Sequence, residues 1–458
     1  LHARLNGAAR QARGDLPTLV SVSERLSGAH DPSAIVLCSR RDDEPWFCFE
    51  QPDRDGIALA ALGCAHELSA LGEGRFGELD SLWRELGSRA RDDGYEGPAG
   101  AGLVAVGGFA FAHEGSRSPA WSGFSAASLM VPEVSFARSG DETWITVNVA
   151  AASGDEAETA HKRIDELLDG LLELPLPLLD PAPTGTFQVH SAMPPSHYEE
   201  AVARAVERIN SGELEKVVLA REVDVRAPTD HDPAAVFDVL RGGFPSSYVY
   251  AVGRGGATFI GATPELLVRR QGQRASTVAL AGSIRRSADP AVDDHLGETL
   301  LHSTKNRHEN AIVAQRIAKA LSPYALWVTA ASEPVVIRVA NIQHLASPIR
   351  AQLRSPVGAI ELAGALHPTP AVGGEPDGTA QRLIPALEGM DRGWYAGAVG
   401  WTDASGDGEF CVALRCALLR GRLASCFAGA GIVADSDPAQ ELAETETKLQ
   451  ALLPIVSG

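Results

Sequence analysis

The sequence predicts an α+β fold of layered sheets, and three observations predict it. Apolar segments of strand length follow one another at 395–402, 409–419 and 422–427, the pattern of successive antiparallel strands. Helical segments are set apart from these strands instead of alternating with them, which argues against a regular parallel sheet. The composition, 45% apolar and 22% charged over 458 residues, is that of a globular chain long enough for a large core.

In chain order, 34–37 and 46–49 read as short strands from their apolar runs. Residues 76–92 read as a helix. An apolar strand at 103–111 carries Gly107 and Gly108, which permit close backbone approach. Residues 128–136 and 143–150 read as a strand pair, and 156–173 as a helix. Pro175, Pro177, Pro181 and Pro183 mark a connector between an N-terminal α/β part, 1–180, and a second region, 186–456. That region opens on Ser196 and Glu199 at capping-box spacing. Val202, Ala205, Val206 and Ile209 make a helical stripe, and Gly212 ends it. A strand follows at Lys216. Asp232-Pro233 opens a further helix. Residues 248–252 and 258–262 are strands, 305–321 is a helix, and 438–453 is the last helix.

A formal net charge of −19 argues against general binding to nucleic acid or anionic membranes. No apolar run approaches the roughly 20 residues that cross a bilayer. The start, Leu1-His2-Ala3-Arg4, is followed by no signal-peptide core. Cys38, Cys48, Cys64, Cys411, Cys416 and Cys426 include no pair at the two-residue gap of a zinc or redox motif. Reduced thiols in a cytoplasmic protein are the expectation. An anionic substrate would need local positive charge or a divalent cation against the global field.

Several residues carry chemistry. Lys216 lies in the apolar run Glu215-Lys216-Val217-Val218-Leu219-Ala220-Arg221. Burial disfavours an ammonium and makes a general base of a lysine; a lysine at a strand edge with its head in water fits the same letters. Glu265 follows Pro264 at a strand end, and Leu266, Leu267 and Val268 would raise its pKa as a general acid requires. An exposed loop glutamate is the alternative. Glu441 and Glu444 share one face of the last helix. With Glu309 from another helix they would make an all-oxygen site suited to magnesium, or they are a solvated acidic first turn. Arg415, inside an apolar segment, needs a carboxylate partner, from a substrate or from the protein. Tyr395 offers a hydroxyl or is a core aromatic. His344 would donate to a substrate or is structural. The small residues at 427–433 let backbone amides approach a ligand but lack the spacing of a nucleotide fingerprint. No nucleophile elbow and no Cys-His amidotransferase signature is evident.

These pieces occur in an order that resembles the chorismate-utilising enzymes, a family that includes isochorismate, salicylate, anthranilate and aminodeoxychorismate synthases. The matching stretches are Lys216-Val217-Val218-Leu219-Ala220-Arg221, Gly261-Ala262-Thr263-Pro264-Glu265, Ala279-Leu280-Ala281-Gly282-Ser283 and Gln343-His344-Leu345. They continue with Leu366-His367-Pro368-Thr369-Pro370, Asp391-Arg392-Gly393-Trp394-Tyr395, Gly429-Ala430-Gly431 and Glu441-Leu442-Ala443-Glu444. The match runs from about 187 to 454. The earlier part is similar mainly at Gly107-Gly108-Phe109-Ala110-Phe111.

The resemblance implies a large layered sandwich of mostly antiparallel sheets with helices outside. Within the family the chain looks most like isochorismate synthases, with salicylate synthases, which go on to eliminate pyruvate, as the alternative. By this resemblance Lys216 would activate the water that attacks C2 of chorismate, and Glu265 would protonate the departing C4 hydroxyl. Glu309 and Glu444 would hold magnesium, with Glu441 in or next to that shell. Arg415, Tyr395, Lys448 and the amides of Gly429, Ala430 and Gly431 would grip the carboxylates. His344 and Thr369 would line the ring pocket, with Ser283 where the family usually has threonine. Leu442 stands where the family usually has tryptophan. Amine-inserting relatives normally place another residue at the position of Lys216 and take ammonia from a glutaminase, so no glutaminase partner is expected, and a monomer is. The product would feed menaquinone, a catecholate siderophore or salicylate.

Overall fold

A computed structural model describes residues 17–94, 96–151, 157–180, 183–339 and 342–458. Pro181 of the connector, the first residue of the 156–173 helix and the Leu1-to-Arg4 start lie outside these residues. The architecture is α+β, as the sequence predicts: two large antiparallel sheets with helices packed on them. Among the described residues one sheet has twelve strands, in the order Thr18–Arg25, Glu142–Ala151, Val134–Ser139, Ile57–Leu62, Trp46–Gln51, Tyr248–Arg254, Ala257–Thr263, Cys416–Arg420, Leu423–Ile432, Lys216–Arg226 and Gly374–Glu375. Gln188–Ser191 also pairs with Lys216–Arg226. The second sheet has ten, running Ala325–Ala330, Ile342–Leu353, Arg274–Arg285, Leu266–Gln271, Gly408–Val412, Ala398–Asp403, Val104–Phe109, Ala127–Val131 and His66–Ala70, with Val335–Val339 on Ile342–Leu353. Both sheets mix strands from before and after the proline connector.

Side-chain alternation sorts the core. Phe47, Phe49, Tyr248, Tyr250 and Phe259 point from the first sheet toward the second and join Phe109, Leu266, Val268 and Phe410. Their neighbours Trp46, Cys48, Val249, Ala251 and Ile260 point outward. There they are covered by Pro32–Ser39, Ala157–Asp169 and Pro233–Gly243, whose apolar faces are buried in the same cluster. Each such large side chain contributes about 1.5–3 kcal/mol on burial. All six cysteines are free.

Among the described residues the chain passes directly from one sheet to the other at four points, one of them from Ile57–Leu62 through Gly63-Cys64-Ala65 into His66–Ala70. Ala257–Thr263 leads through Pro264-Glu265 into Leu266–Gln271. Gly408–Val412 leads through 413–415 into Cys416–Arg420. Ala127–Val131 leads through Pro132-Glu133 into Val134–Ser139. Strands that switch sheets make the corners of a sandwich. The 409–419 segment is therefore not one strand: Arg415 takes a left-handed φ of 47° that breaks it. The 128–136 segment also divides, at Pro132-Glu133. Tyr395 precedes its strand, which begins at Ala398.

Other boundaries also differ from expectation. Residues 34–37 lie in the helix Pro32–Ser39, because Asp31 caps it by accepting from the Ala34 amide and Pro32 occupies its first turn. A short apolar run alone does not separate helix from strand. The Ser196 and Glu199 pair makes no capping box: the helix begins at Pro195, with Pro194 before it and no side-chain cap. The last helix ends at Leu449, and 453–457 is a separate turn of helix.

Candidate active site

A cavity with about 740 Å³ of empty space, counting its open mouth, lies among the sheet-switching segments. Glu265, Ser283, Glu309, His344, Tyr395, Arg415, Gly429, Gly431, Glu444 and Lys448 all line it. Thr369, Ala430 and Glu441 are buried and do not line it, and Lys216 reaches it through Glu309.

Two of the crossings are stitched together. The Val412 amide donates to the Glu265 carbonyl at 2.9 Å, and the Ala262 amide to the Arg415 carbonyl at 3.1 Å. Glu265 and Arg415 are thereby brought onto one cavity from distant parts of the chain. Glu265 is 4% exposed. Burial pushes its carboxyl up to about 8, against the opposing pull of Lys216, Lys448 and Arg415. A carboxyl in that range is still largely protonated at neutral pH.

Arg415 is buried, and burial lowers its guanidinium to about 10. Its Nη2 donates to His344 Nε2 at 2.5 Å, while Nη1 is buried without a partner. A cation with an unmet donor on a cavity is an anion-binding group. Burial first, then Arg415 and Lys448, hold His344 well below its ordinary range, so the ring is neutral. With Nε2 accepting from Arg415, the proton sits on Nδ1, which bonds the Gly282 backbone. His344 thus sets the guanidinium in place.

The opposite wall comes from helices. Asn310 on Thr304–Leu321 donates to the carbonyls of Ala279, Ala281 and Leu345 at 3.2, 3.4 and 3.1 Å. These bonds fasten the helix over the register shift between Leu280 and Ser283, and they aim Glu309 into the cavity. Glu309 Oε1 accepts from Lys216 Nζ at 2.8 Å, and Lys216 is 1% exposed. The acidic helix Pro438–Leu449 is capped by Asp437, which accepts from the Gln440 amide. From it Glu444 accepts from Lys448 at 2.8 Å and from Ser283 at 3.1 Å. Burial raises Glu444, but Lys448, Ser283 and Lys305 together outweigh it and the carboxyl lies below its ordinary value. Glu441 is raised, by burial and then by the Glu444 charge, and pairs with Lys305 at 3.3 Å. Lys448 also donates to the Gly429 carbonyl at 2.8 Å.

Among the described residues no group of three Asp, Glu, His or Cys side chains is gathered as a ready metal cage. Glu309 and Glu444 nevertheless face one cavity from two helices. Magnesium commonly takes one or two carboxylates and completes its shell with water and substrate oxygens, so this donor set fits it. A cradle supports them: a Cβ on Gly431 would lie 2.5 Å from Glu309 Oε1 and 3.3 Å from Lys216 Nζ, so a larger residue there would push these two side chains aside.

The family model for chorismate binding enzymes matches residues 5–457. The chain belongs to the chorismate-binding enzyme family. It is 39% identical to the salicylate biosynthesis isochorismate synthase of Pseudomonas aeruginosa, across 100% of this chain and 95% of that protein. It is 34% identical to an isochorismate synthase of Bacillus subtilis, across 96% and 94%. The structure is similar to that of the menaquinone-specific isochorismate synthase of Escherichia coli, with a TM-score of 0.80, 25% identity and 99% of each chain covered.

In this chorismate-binding enzyme, sequence reasoning assigned no role to Arg392 or Glu388, which form a buried ion pair behind the cavity. Their i, i+4 spacing was the available signal. It also passed over Lys305, the partner of Glu441, and the apolar lining of Val218, Leu280, Val372 and Phe427.

Proposed function

We propose that the protein is a magnesium-dependent isochorismate synthase, an isomerase that converts chorismate to isochorismate. The observation that carries this reading is Glu265, a carboxyl protonated near neutral pH on a cavity shared with the unmet Nη1 of Arg415. Isomerisation of this kind needs an acid for a poor leaving group and a base for a poor nucleophile. Relatives named isochorismate synthase at 39% and 34% identity support it.

Lys216 accepts a proton from water as the water oxygen bonds to C2. Glu265 gives its proton to the C4 hydroxyl, which leaves as water while both conjugated ring double bonds shift by one position, C1=C2 to C6=C1 and C5=C6 to C4=C5. Proton exchange with solvent returns both groups to their starting states. Arg415 Nη1, Tyr395, Lys448 and the edge amides of Gly429 and Gly431 hold the two carboxylates. Glu309 and Glu444, with Glu441 beside them, would hold magnesium, which supplies positive charge against the C1 carboxylate. His344 keeps Arg415 oriented, and Thr369, with its Oγ1 buried and unpartnered, supports the ring wall from behind.

Lys216→Ala tests the base. The variant should bind chorismate, read by calorimetry, yet form no isochorismate; full retained turnover would remove Lys216 from the mechanism. Pyruvate is assayed in the same reaction mixture, because its release would assign the chain to salicylate synthesis instead.

A further inference from the structure

We propose that the buried Glu388–Arg392 pair is a positioning unit: it completes the open edge of the Lys216 strand and holds three walls of the cavity in register. On that edge Gly374–Glu375 pairs only with Lys216 and Val217, and Gln188–Ser191 only with Val223 to Arg226. Between them, among the described residues, the strand has no neighbouring strand. Side chains fill the gap. Arg392 Nη2 donates to the Val218 carbonyl at 2.9 Å, and Glu388 Oε1 accepts from the Ala220 amide at 2.7 Å. One ion pair thus supplies the donor and the acceptor that a missing strand would have supplied.

The same guanidinium reaches further. Its Nη1 donates to the Val372 carbonyl at 2.8 Å, and Nε donates to Glu388 Oε2 at 3.0 Å. Its carbon lies 4.2 Å from the Phe111 ring centroid and 5.7 Å from that of Tyr395. Val218, Val372 and Tyr395 line the cavity; Glu388 and Arg392 do not. A buried ion pair is weak evidence for stability in itself. A planar fork that meets acceptors on three segments at once fixes their relative positions, and a lysine ammonium does not reproduce that geometry.

This inference rests on Lys216 being the base, so its test separates the two. The full chain is compared with Arg392→Lys, which keeps the charge and loses the fork, and with the double variant Glu388→Met/Arg392→Met, which keeps the volume. Steady-state kinetics with chorismate are scaled to folded protein by calorimetry. Hydrogen exchange is followed in the peptide containing 216–222, with Ala257–Thr263 as the internal reference. In the folded variants kcat should fall roughly 10- to 100-fold, as for misplaced reacting groups, while KM moves by less than about threefold. Exchange at the Ala220 amide should quicken relative to the reference. An unchanged kcat in a folded variant, unchanged exchange at Ala220, or a loss of rate no larger than the loss of folded protein would each overturn the proposal. Wild-type protein that leaves chorismate untouched would count against the activity reading, and the exchange result would then decide the strand-edge role by itself.

Discussion

Glu265 shows how one residue's surroundings become a pH dependence. Burial holds its carboxyl at about 8, far above its ordinary value of 4.5. As the acid it must be protonated, so kcat should fall as pH rises through about 8, and Glu265→Gln should lose about 10²–10⁴-fold in rate. Stability follows the same shift. The folded state keeps the proton between pH 4.5 and about 8 while the unfolded chain has released it, so this contribution is full below 4.5 and is lost as pH rises through about 8. Glu265→Gln removes that loss. Its melting temperature should exceed wild type most at pH 8 and above, with the gap closing toward pH 4.5; a gap independent of pH would contradict the assignment. The apolar neighbours Leu266 to Val268 made a raised pKa legible in the sequence. The charges of Lys216, Lys448 and Arg415 acting on it were not, because they arrive from strands and helices far apart in the chain. The link from His344 to Arg415 was hidden for the same reason.

At the scale of elements, local chemistry was legible where a single signal governed it. Among the described residues four helices open on Asp-Pro, at 31–32, 232–233, 289–290 and 437–438, each with the aspartate accepting a backbone amide. The pair at 232–233 was read correctly; the pair at 31–32 was overridden by the apolar run that follows. Sheet changes were not legible, since an apolar stretch looks the same whether it stays in one sheet or turns into another. That is why 409–419 and 128–136 each read as one strand. Gly431 tests the element-level account of the site. Gly431→Ala would place a methyl group against Glu309 and Lys216 within a strand whose backbone tolerates alanine. The melting temperature should change little while turnover falls by about tenfold or more, as expected when reacting groups are displaced. Wild-type turnover in this variant would mean that Glu309 and Lys216 need not sit as they do.

At the scale of the whole molecule, the sandwich brings a strand lysine, two sheet-crossing residues and two helical carboxylates to one cavity in a chain of net charge −19. Lys305 and Lys448 offset Glu441 and Glu444, and Arg415, with its Nη1 unmet, adds the positive charge on the cavity that an anionic substrate needs. The α+β class and the order of motifs were legible because hairpin spacing and capping are local. The sharing of both sheets by the regions on either side of the proline connector was not, because it depends on pairings across hundreds of residues. Glu444→Gln should weaken magnesium binding, read by calorimetry on the purified protein, and an unchanged titration would remove Glu444 from the site. The most direct measurement of the central claim is chromatographic product analysis of purified protein with chorismate and magnesium, run with and without EDTA and with and without ammonium. The account predicts isochorismate that forms with magnesium, disappears with EDTA and is indifferent to ammonium. Salicylate with pyruvate, an aminated product that requires ammonium, or isochorismate formed equally well in EDTA would contradict it.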